Sequence, residues 1–308
     1  MPRVSRRKFI HSLAATMAAP HFVLAWKKAK PLPLSFSSLG CPKWDWATIL
    51  KQASQSGYSA IELRGILGEM DLPKSPVFAE GRLKQCLLDL EALDLRIINL
   101  GASSKLHVIE PAERTVQLDE ARRFIDLAHR LKSPHVRVFP DKYVDGQSRA
   151  ATIERIIAGL RELGEYAKGS GVTVILESHG DFHDSATLLQ IMRGAGMPSV
   201  ALLWDTYHTV VSGKEEPGFT FQQLKPYVRH THLKDSITSG KEERYVLTGS
   251  GTVPVRKIVK ALVTGEYNGY FSFEWEKVWH PEIDEPEVAI PHYAKVMSGY
   301  LVEAGYKI

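Results

Sequence analysis

Four short segments in the second half of the chain each end in a residue that can bind a metal ion. They are V-I-L-E ending at Glu177, L-L-W-D ending at Asp205, H-T-H ending at His232 and F-S-F-E ending at Glu274. The intervals between them are 28, 27 and 42 residues, about one strand–helix unit each with an insertion before the last. Three carboxylates and one neutral imidazole suit one divalent cation. The pattern therefore predicts a single metal site, with Mn²⁺ as the first choice and Mg²⁺, Co²⁺ or Zn²⁺ as alternatives.

An oxygen-rich ligand set of this kind favours a catalytic site over a structural zinc site, which prefers thiolates. Open coordination positions could take two oxygens of a sugar hydroxy-ketone and stabilise the enediolate that forms when the neighbouring C–H proton is removed. Glu177 and Glu274 could flank such a substrate, one removing the proton and the other returning it. Return to the opposite face of the same carbon gives epimerisation, and return to the adjacent carbon gives isomerisation. The sequence leaves both open.

Alternating strand-like and helix-like segments run from Leu34 to the end of the chain and must carry these side chains. Short apolar runs, typical of strands buried on both faces, predict eight strands: Leu34–Ser38, Ala60–Leu63, Arg96–Leu100, Val136–Phe139, Val172–Glu177, Val200–Asp205, Arg229–Leu233 and Tyr270–Glu274. Apolar spacings of three and four predict helices over Trp46–Gln55, Glu80–Leu93, Pro111–Leu131, Ser148–Gly169, Ser185–Gly194, Val255–Thr264 and Glu285–Ala304, with a less regular one over Phe219–Val228.

This count and length predict an α/β fold, a single-domain (β/α)₈ TIM barrel over residues 34–308. The alternative is a doubly wound open sheet, but the first strand is not followed by G-x-G-x-x-G. In a barrel the chemistry lies at the carboxyl ends of the strands. That rule adds Glu62, Arg64 and Arg137 as substrate-binding candidates, each with an ion pair as its alternative. Gly249-Ser250-Gly251 is either a phosphate-binding loop or a plain turn.

The first 25 residues differ from the rest. Ser5-Arg6-Arg7-Lys8-Phe9-Ile10 precedes a short Ala-rich apolar stretch, which predicts a twin-arginine signal peptide over residues 1–25, cleaved after Ala25. The alternative is a basic tail. The signal predicts passage through the twin-arginine translocase to the periplasm.

The formal net charge of +4 belongs to this leader, which holds four basic side chains and no acidic one. A balanced mature chain has no global electrostatic reason to bind nucleic acid or an anionic membrane. Because no apolar run reaches 18 residues, stable membrane insertion is not expected. Cys41 and Cys86 are expected to be free thiols. The oligomeric state stays open.

The motifs V-I-L-E-S-H-G, L-L-W-D-T-Y-H, H-T-H-L-K-D, G-S-G-T-V-P and F-S-F-E-W-E resemble the xylose-isomerase-like barrel superfamily of sugar (phosphate) isomerases and epimerases. The resemblance runs from about Leu34 to the end of the chain. It implies that Glu177, Asp205, His232 and Glu274 bind the metal, and that Glu177 and Glu274 also form the acid–base pair. It further implies that His208 contacts substrate oxygens.

The chain also departs from part of this family. The ketose 3-epimerase motif G-H-x-H-x-G-E is absent, because H-T-H is followed by Leu233-Lys234-Asp235. This favours the branch of inositol-catabolism enzymes or an exported group of its own. Lys234 binds the substrate or forms an ion pair with Asp235.

The resulting prediction is a metal-dependent sugar isomerase or epimerase acting on a ketose, keto-sugar or inosose-like substrate. Two alternatives stand beside it: a metal-dependent lyase or hydrolase that uses the same site on an oxidised glycoside, and a non-catalytic sugar-binding barrel. Export favours a sugar without phosphate.

Overall fold

Eight parallel strands close into a barrel in the computed structural model, which describes residues 31–239 and 242–307. The strands are β1 (Leu34–Ser37), β2 (Ala60–Leu63), β3 (Arg96–Lys105), β4 (His135–Phe139), β5 (Thr173–Glu177), β6 (Val200–Asp205), β7 (Val228–Leu233) and β10 (Phe271–Phe273). They follow one another in chain order around the barrel, and β10 closes it against β1. The predicted single-domain TIM barrel is confirmed. The predicted signal peptide lies outside the described residues.

Eight α-helices connect the strands within the described part of the chain. They are α1 (Trp46–Gln55), α2 (Leu83–Ala92), α3 (Pro111–Leu131), α4 (Arg149–Ala167), α5 (Ser185–Ala195), α6 (Pro217–Leu224), α7 (Val255–Thr264) and α8 (Pro286–Glu303). Asp45, Ser148 and Asp184 cap α1, α4 and α5 by accepting hydrogen bonds from backbone amides of the first turns. Among the described residues, no helix has the length and apolar character needed to span a membrane.

The alternation of side chains along each strand decides what faces the barrel interior. Along β6, Leu202 and Trp204 belong to the large core between strands and helices, whereas Ala201 and Leu203 form a separate small cluster with Ile175 of β5. This cluster lies inside the barrel. Further along the same inward-facing rows, apolar side chains give way to the carboxylates of Glu177 and Asp205.

An antiparallel hairpin that the sequence analysis did not predict lies between β7 and α7. Its strands are β8 (Asp235–Ser239) and β9 (Glu242–Val246). These strands are rich in polar residues, so they give no apolar run to detect. The hairpin accounts for the longer interval before the last candidate ligand.

Several other boundaries differ from the prediction, among them those of α6, which is Pro217–Leu224 and not Phe219–Val228. Strand β3 continues past Leu100 to Lys105, and α2 starts at Leu83 because Glu80–Arg82 form a 3₁₀ turn. Strand β10 ends at Phe273, so Glu274 is the first residue of the following loop. Its backbone amide still donates to the carbonyl of Leu233, at 3.2 Å, which keeps it in line with the barrel edge.

Candidate metal centre

The four candidate ligands come together at the carboxyl ends of β5, β6, β7 and β10. One ligand atom from each of Glu177, Asp205, His232 and Glu274 lies within 4.8 Å of the others. The Nδ1 atom of His232 is 3.1 Å from Oε1 of Glu274 and 3.5 Å from Oε1 of Glu177. All four residues are buried. Parallel neighbouring strands bring residues far apart in the chain to one edge of the barrel.

The donor set fits a divalent cation on two observations. Oε2 of Glu177 and Nδ1 of His232 are buried and, among the described residues, have no partner in hydrogen-bonding geometry. Burial raises the pKa of Asp205 to about 8 against the opposing charge of Lys234, and Glu274 and Glu177 add to the rise. Three carboxylates this close repel one another, and a divalent cation would relieve the repulsion.

Lys234 lies at the centre of the site. Its Nζ is 2.8 Å from Oδ2 of Asp205, 2.5 Å from Oε2 of Glu274 and 2.7 Å from Oε1 of Glu276. Burial alone would lower the pKa of Lys234, but Asp205 and Glu274 outweigh it and hold that pKa well above its usual value. Glu276 follows Glu274 by two residues in the loop after β10. The contact between Lys234 and Glu276 could not be predicted from the strand pattern, since Glu276 lies in a loop.

Asp235 does not pair with Lys234 but holds the loop before α7. Its carboxylate accepts hydrogen bonds from the amides of Gly249 at 2.8 Å, Gly251 at 3.0 Å and Val253 at 3.2 Å. A Cβ at Gly251 would lie 2.1 Å from Oδ1 of Asp235. These amides therefore already bind a carboxylate of the chain. This agrees with the plain-turn alternative for Gly249–Gly251.

Glu62, a substrate-binding candidate in the sequence, contacts two imidazoles inside the barrel. Its Oε2 is 2.8 Å from Nε2 of His230 and 2.8 Å from Nε2 of His232, and Asn99 donates to the same oxygen at 3.1 Å. Burial would raise the pKa of Glu62, but His232 and His230 outweigh it and hold the pKa well below its usual value. A bond to an ionised carboxylate requires the proton on Nε2 of His232, which leaves Nδ1 to face Glu177 and Glu274.

Replacing Glu62 by Gln is expected to lower the affinity for Mn²⁺ by about 10- to 100-fold, because the orientation and proton position of His232 would no longer be held by a carboxylate. Calorimetric titration of the metal-free protein measures this. Glu91→Gln, which changes an exposed carboxylate on α2, is the matched control. An Mn²⁺ affinity equal to that of the control would contradict this role for Glu62.

The other three substrate-binding candidates lie around the ligands. Nε2 of His208 is 3.5 Å from Oδ2 of Asp205, and burial, with Lys234 and His179 adding, lowers its pKa to about 3. Nε of Arg137 is 3.2 Å from Oε2 of Glu177. Arg64 and Arg137 line a cavity of about 190 Å³ at the barrel mouth, whose lining also includes Glu177, Lys234, Glu274 and Glu276. Glu62 is not part of this lining.

Comparison with known proteins agrees with the closed barrel. The model of the xylose isomerase-like TIM barrel family matches residues 50–296. The chain belongs to this family. An inosose dehydratase of Bacillus anthracis is 27% identical over 141 residues, which cover 40% of this chain and 47% of that protein. The match therefore spans about half the length of the curated relative.

Two solved structures share the fold of this xylose isomerase-like barrel. The IOLI protein, whose crystal structure contains a zinc atom, aligns with a TM-score of 0.76 and 16% identity over 90% of this chain and 100% of its own. An L-ribulose 3-epimerase aligns with a TM-score of 0.72 and 18% identity over 89% and 96%. At these identities the likeness shows the fold.

Mn²⁺ binding to this xylose isomerase-like barrel is expected to strengthen with pH between pH 6 and 8, by about 10- to 100-fold per unit. Asp205, with a pKa of about 8, holds a proton at pH 7 that the ion must displace. Burial would lower the pKa of His232, but Glu274 and Glu62 raise that pKa well above its usual value. His232 therefore holds a second proton that the ion must displace. The free energy of unfolding of the metal-free protein should fall as the pH rises from 3.8, the ordinary pKa of Asp205, towards its raised pKa of about 8.

Calorimetry at pH 7 in buffers of different ionisation enthalpy counts the protons released per ion. One to two protons are expected. Proton release below one half per ion, with affinity independent of pH, would contradict the prediction.

Proposed function

We propose that this barrel is a metal-dependent sugar isomerase or epimerase that moves a proton through an enediolate on a ketose, keto-sugar or inosose-like substrate. One observation carries the proposal. Glu177 and Glu274 line the same cavity, converge on His232 and are each held by a separate cation, Arg137 at 3.2 Å and Lys234 at 2.5 Å. Two carboxylates held on one small cavity are suited to remove a proton and to return it.

The chain's own residues set up this exchange. Glu177, Asp205, His232 and Glu274 would hold the divalent ion, which polarises the substrate carbonyl when bound. Burial would raise the pKa of Glu177, but Arg137 and His232 offset it and hold it at about 2. The pKa of Glu274 is likewise well below its usual value, because His232 and Lys234 outweigh burial.

Both carboxylates are therefore ionised at neutral pH before substrate binds, so either can accept the C–H proton. The carboxylate that delivers a proton to the opposite face must first take one up from solvent. The cavity of about 190 Å³ is smaller than the ~300–1,000 Å³ of sites for drug-sized ligands, so a single sugar unit is the expected occupant.

A lyase is the second candidate, and one contact favours it. The ammonium of Lys234 lines the same cavity beside Glu274. It could donate a proton to a leaving oxygen after the first C–H proton is removed, which would turn proton transfer into elimination. The Bacillus anthracis relative is named a dehydratase, which supports testing for elimination in the same experiment.

The experiment is solvent exchange followed by NMR. The protein, stripped with EDTA and reloaded with Mn²⁺, is incubated in D₂O with a panel of ketoses, keto-sugars and inososes. Deuterium at a carbon next to the carbonyl, in the metal-loaded sample only, is the expected result, with an epimer or isomer as product. An unsaturated product identifies the lyase. If the metal-loaded protein exchanges no carbon-bound proton of any substrate, the proposal is wrong and the non-catalytic sugar-binding barrel is the remaining alternative.

We further propose that the protein acts in the periplasm after twin-arginine export, on a sugar without phosphate, because the leader carries the paired arginines Arg6 and Arg7. Amino-terminal sequencing of protein recovered from the periplasm should begin after Ala25. Recovery from the cytoplasm alone, with Met1 or Pro2 at the amino terminus, would contradict export.

A further inference from the structure

Two guanidinium groups meet on one wall of the cavity. Arg64 follows β2 and Arg137 lies in β4, and both pack against Gly101 of the strand between them. A Cβ at position 101 would lie 2.6 Å from Cδ of Arg64 and 2.7 Å from Nη2 of Arg137. The glycine therefore leaves the space in which the two arginines come together.

Only one direct ion pair among the described residues matches the positive charge of this pair. Within the described part of the chain, the ion pair of Arg137 with Glu177 is the single one that either guanidinium makes. The other bonds of Arg64 go to neutral groups, the carbonyl of Gly101 at 3.4 Å and Oγ of Ser103 at 3.0 Å. Glu177 is itself one of the four candidate metal ligands. Once Glu177 binds a divalent ion, neither arginine has a carboxylate of its own in direct contact among the described residues. The charges of Glu120 and Glu62 act on Arg64 without an ion pair.

Arg137 also has hydrogen-bonding capacity that the described residues leave unused. Its side chain is 1% exposed. Its Nη1 has no hydrogen-bond partner among those residues, and its Nε lies 3.2 Å from Oε2 of Glu177 without hydrogen-bonding geometry. The guanidinium lies 3.8 Å over the ring of Phe139, which fixes its plane. A buried, oriented guanidinium with an unpaired Nη1 beside a cavity can bind an acceptor.

The neighbouring charges also affect Arg64, which is 7% exposed. Burial, and then the charge of Arg137, lower the pKa of Arg64 to about 10. It therefore stays protonated at neutral pH although both effects oppose its charge. An anion bound between the two side chains would relieve this repulsion.

We propose that Arg64 and Arg137 bind a carboxylate of the substrate, so that the substrate is a sugar acid that also carries a ketone. This rests on the proposed function and names its substrate class. The planar fork of a guanidinium matches the two oxygens of a carboxylate. A phosphate is disfavoured because the cavity is small and the amides of Gly249 and Gly251 already bind Asp235.

Matched ligands separate the charge from the sugar. D-Fructuronate differs from D-fructose by a carboxylate in place of the terminal CH₂OH, and D-fructose 6-phosphate carries a phosphate there. D-Gluconate and D-sorbitol form a second pair that lacks the ketone and so tests the carboxylate alone. Calorimetry of the Mn²⁺-loaded protein is expected to show the acid of each pair binding more tightly, on the order of 10- to 100-fold.

Substitutions of Arg64 test whether the preference for the acid depends on this side chain. Arg64→Gln is expected to remove most of this preference while D-fructose and D-sorbitol bind as before, and Arg64→Lys should keep part of it, since the charge remains without the fork. Arg256→Gln is the matched control, because it removes the same charge from α7, where the side chain is 65% exposed. Thermal unfolding of each variant identifies any loss of fold, and Mn²⁺ titration identifies any loss of metal.

The outcomes for this inference and for the proposed function are distinct. Equal binding, or no binding, of acid and neutral partner in both pairs overturns the carboxylate site even if metal-dependent exchange in D₂O occurs. A preference for D-fructose 6-phosphate over D-fructuronate also overturns it, in favour of a phosphate. A clear acid preference that Arg64→Gln removes, in a protein that exchanges no proton, supports the site and counts against the isomerase.

Discussion

Replacing Glu177 or Glu274 by Gln is expected to slow the interconversion of two sugar epimers by about 10²- to 10⁴-fold, the usual contribution of a general acid or base. Each carboxylate serves one face of the carbon in the proposed exchange. A single variant should therefore still exchange deuterium into one epimer, the one whose proton faces the remaining carboxylate. NMR in D₂O, started from each epimer in turn, measures both quantities.

Metal loss must be separated from loss of the base, because both residues are also candidate ligands. Gln keeps an oxygen donor, so the Mn²⁺ content of each variant is measured before the rates are compared. Asp205→Asn is the matched control, since it alters a ligand that has no proposed role in proton transfer. Full epimerisation by a metal-loaded Glu177→Gln or Glu274→Gln variant would disprove the acid–base assignment.

Replacing Lys234 by Met is expected to lower the free energy of unfolding of the metal-free protein by about 3–5 kcal/mol. Its ammonium contacts three carboxylates, those of Asp205, Glu274 and Glu276, and its side chain is 2% exposed. Removing it leaves the charges of Glu274 and Glu276 without this partner and takes a hydrogen-bond donor from Asp205. Urea unfolding in EDTA measures the change.

Saturating Mn²⁺ should restore part of the lost stability, because the ion supplies positive charge to Asp205 and Glu274. Lys257→Met, on an exposed position of α7, is the control for the loss of a lysine. If the Lys234 variant and the control unfold at the same urea concentration in EDTA, the ion pairs of Lys234 do not stabilise the fold.

The barrel and the convergence of the four candidate ligands followed from local patterns. Apolar runs of four to six residues mark strands buried on both faces, and the carboxyl ends of consecutive parallel strands must lie at one rim. Glu177 and Asp205 end such runs, which is why spacing alone brought them together. The hairpin of β8 and β9 escaped detection because its polar strands carry no such signal.

The contacts within the site were harder to predict, for a physical reason. Strand alternation places Lys234 on the same side as His232, two residues earlier, but the partner Glu276 lies in a loop whose path depends on the finished fold. The same alternation turns Glu62 inward without giving its depth. The sequence pattern therefore indicated Glu62 as a substrate-binding residue, whereas its carboxylate lies 2.8 Å from two imidazoles.

Anomalous diffraction from crystals of the Mn²⁺-loaded protein tests the metal site most directly. We expect one strong peak at the manganese edge, with Glu177, Asp205, Nδ1 of His232 and Glu274 as its protein ligands. A single peak at another group of residues, or none after loading at pH 8, would contradict the site on which the proposed chemistry depends.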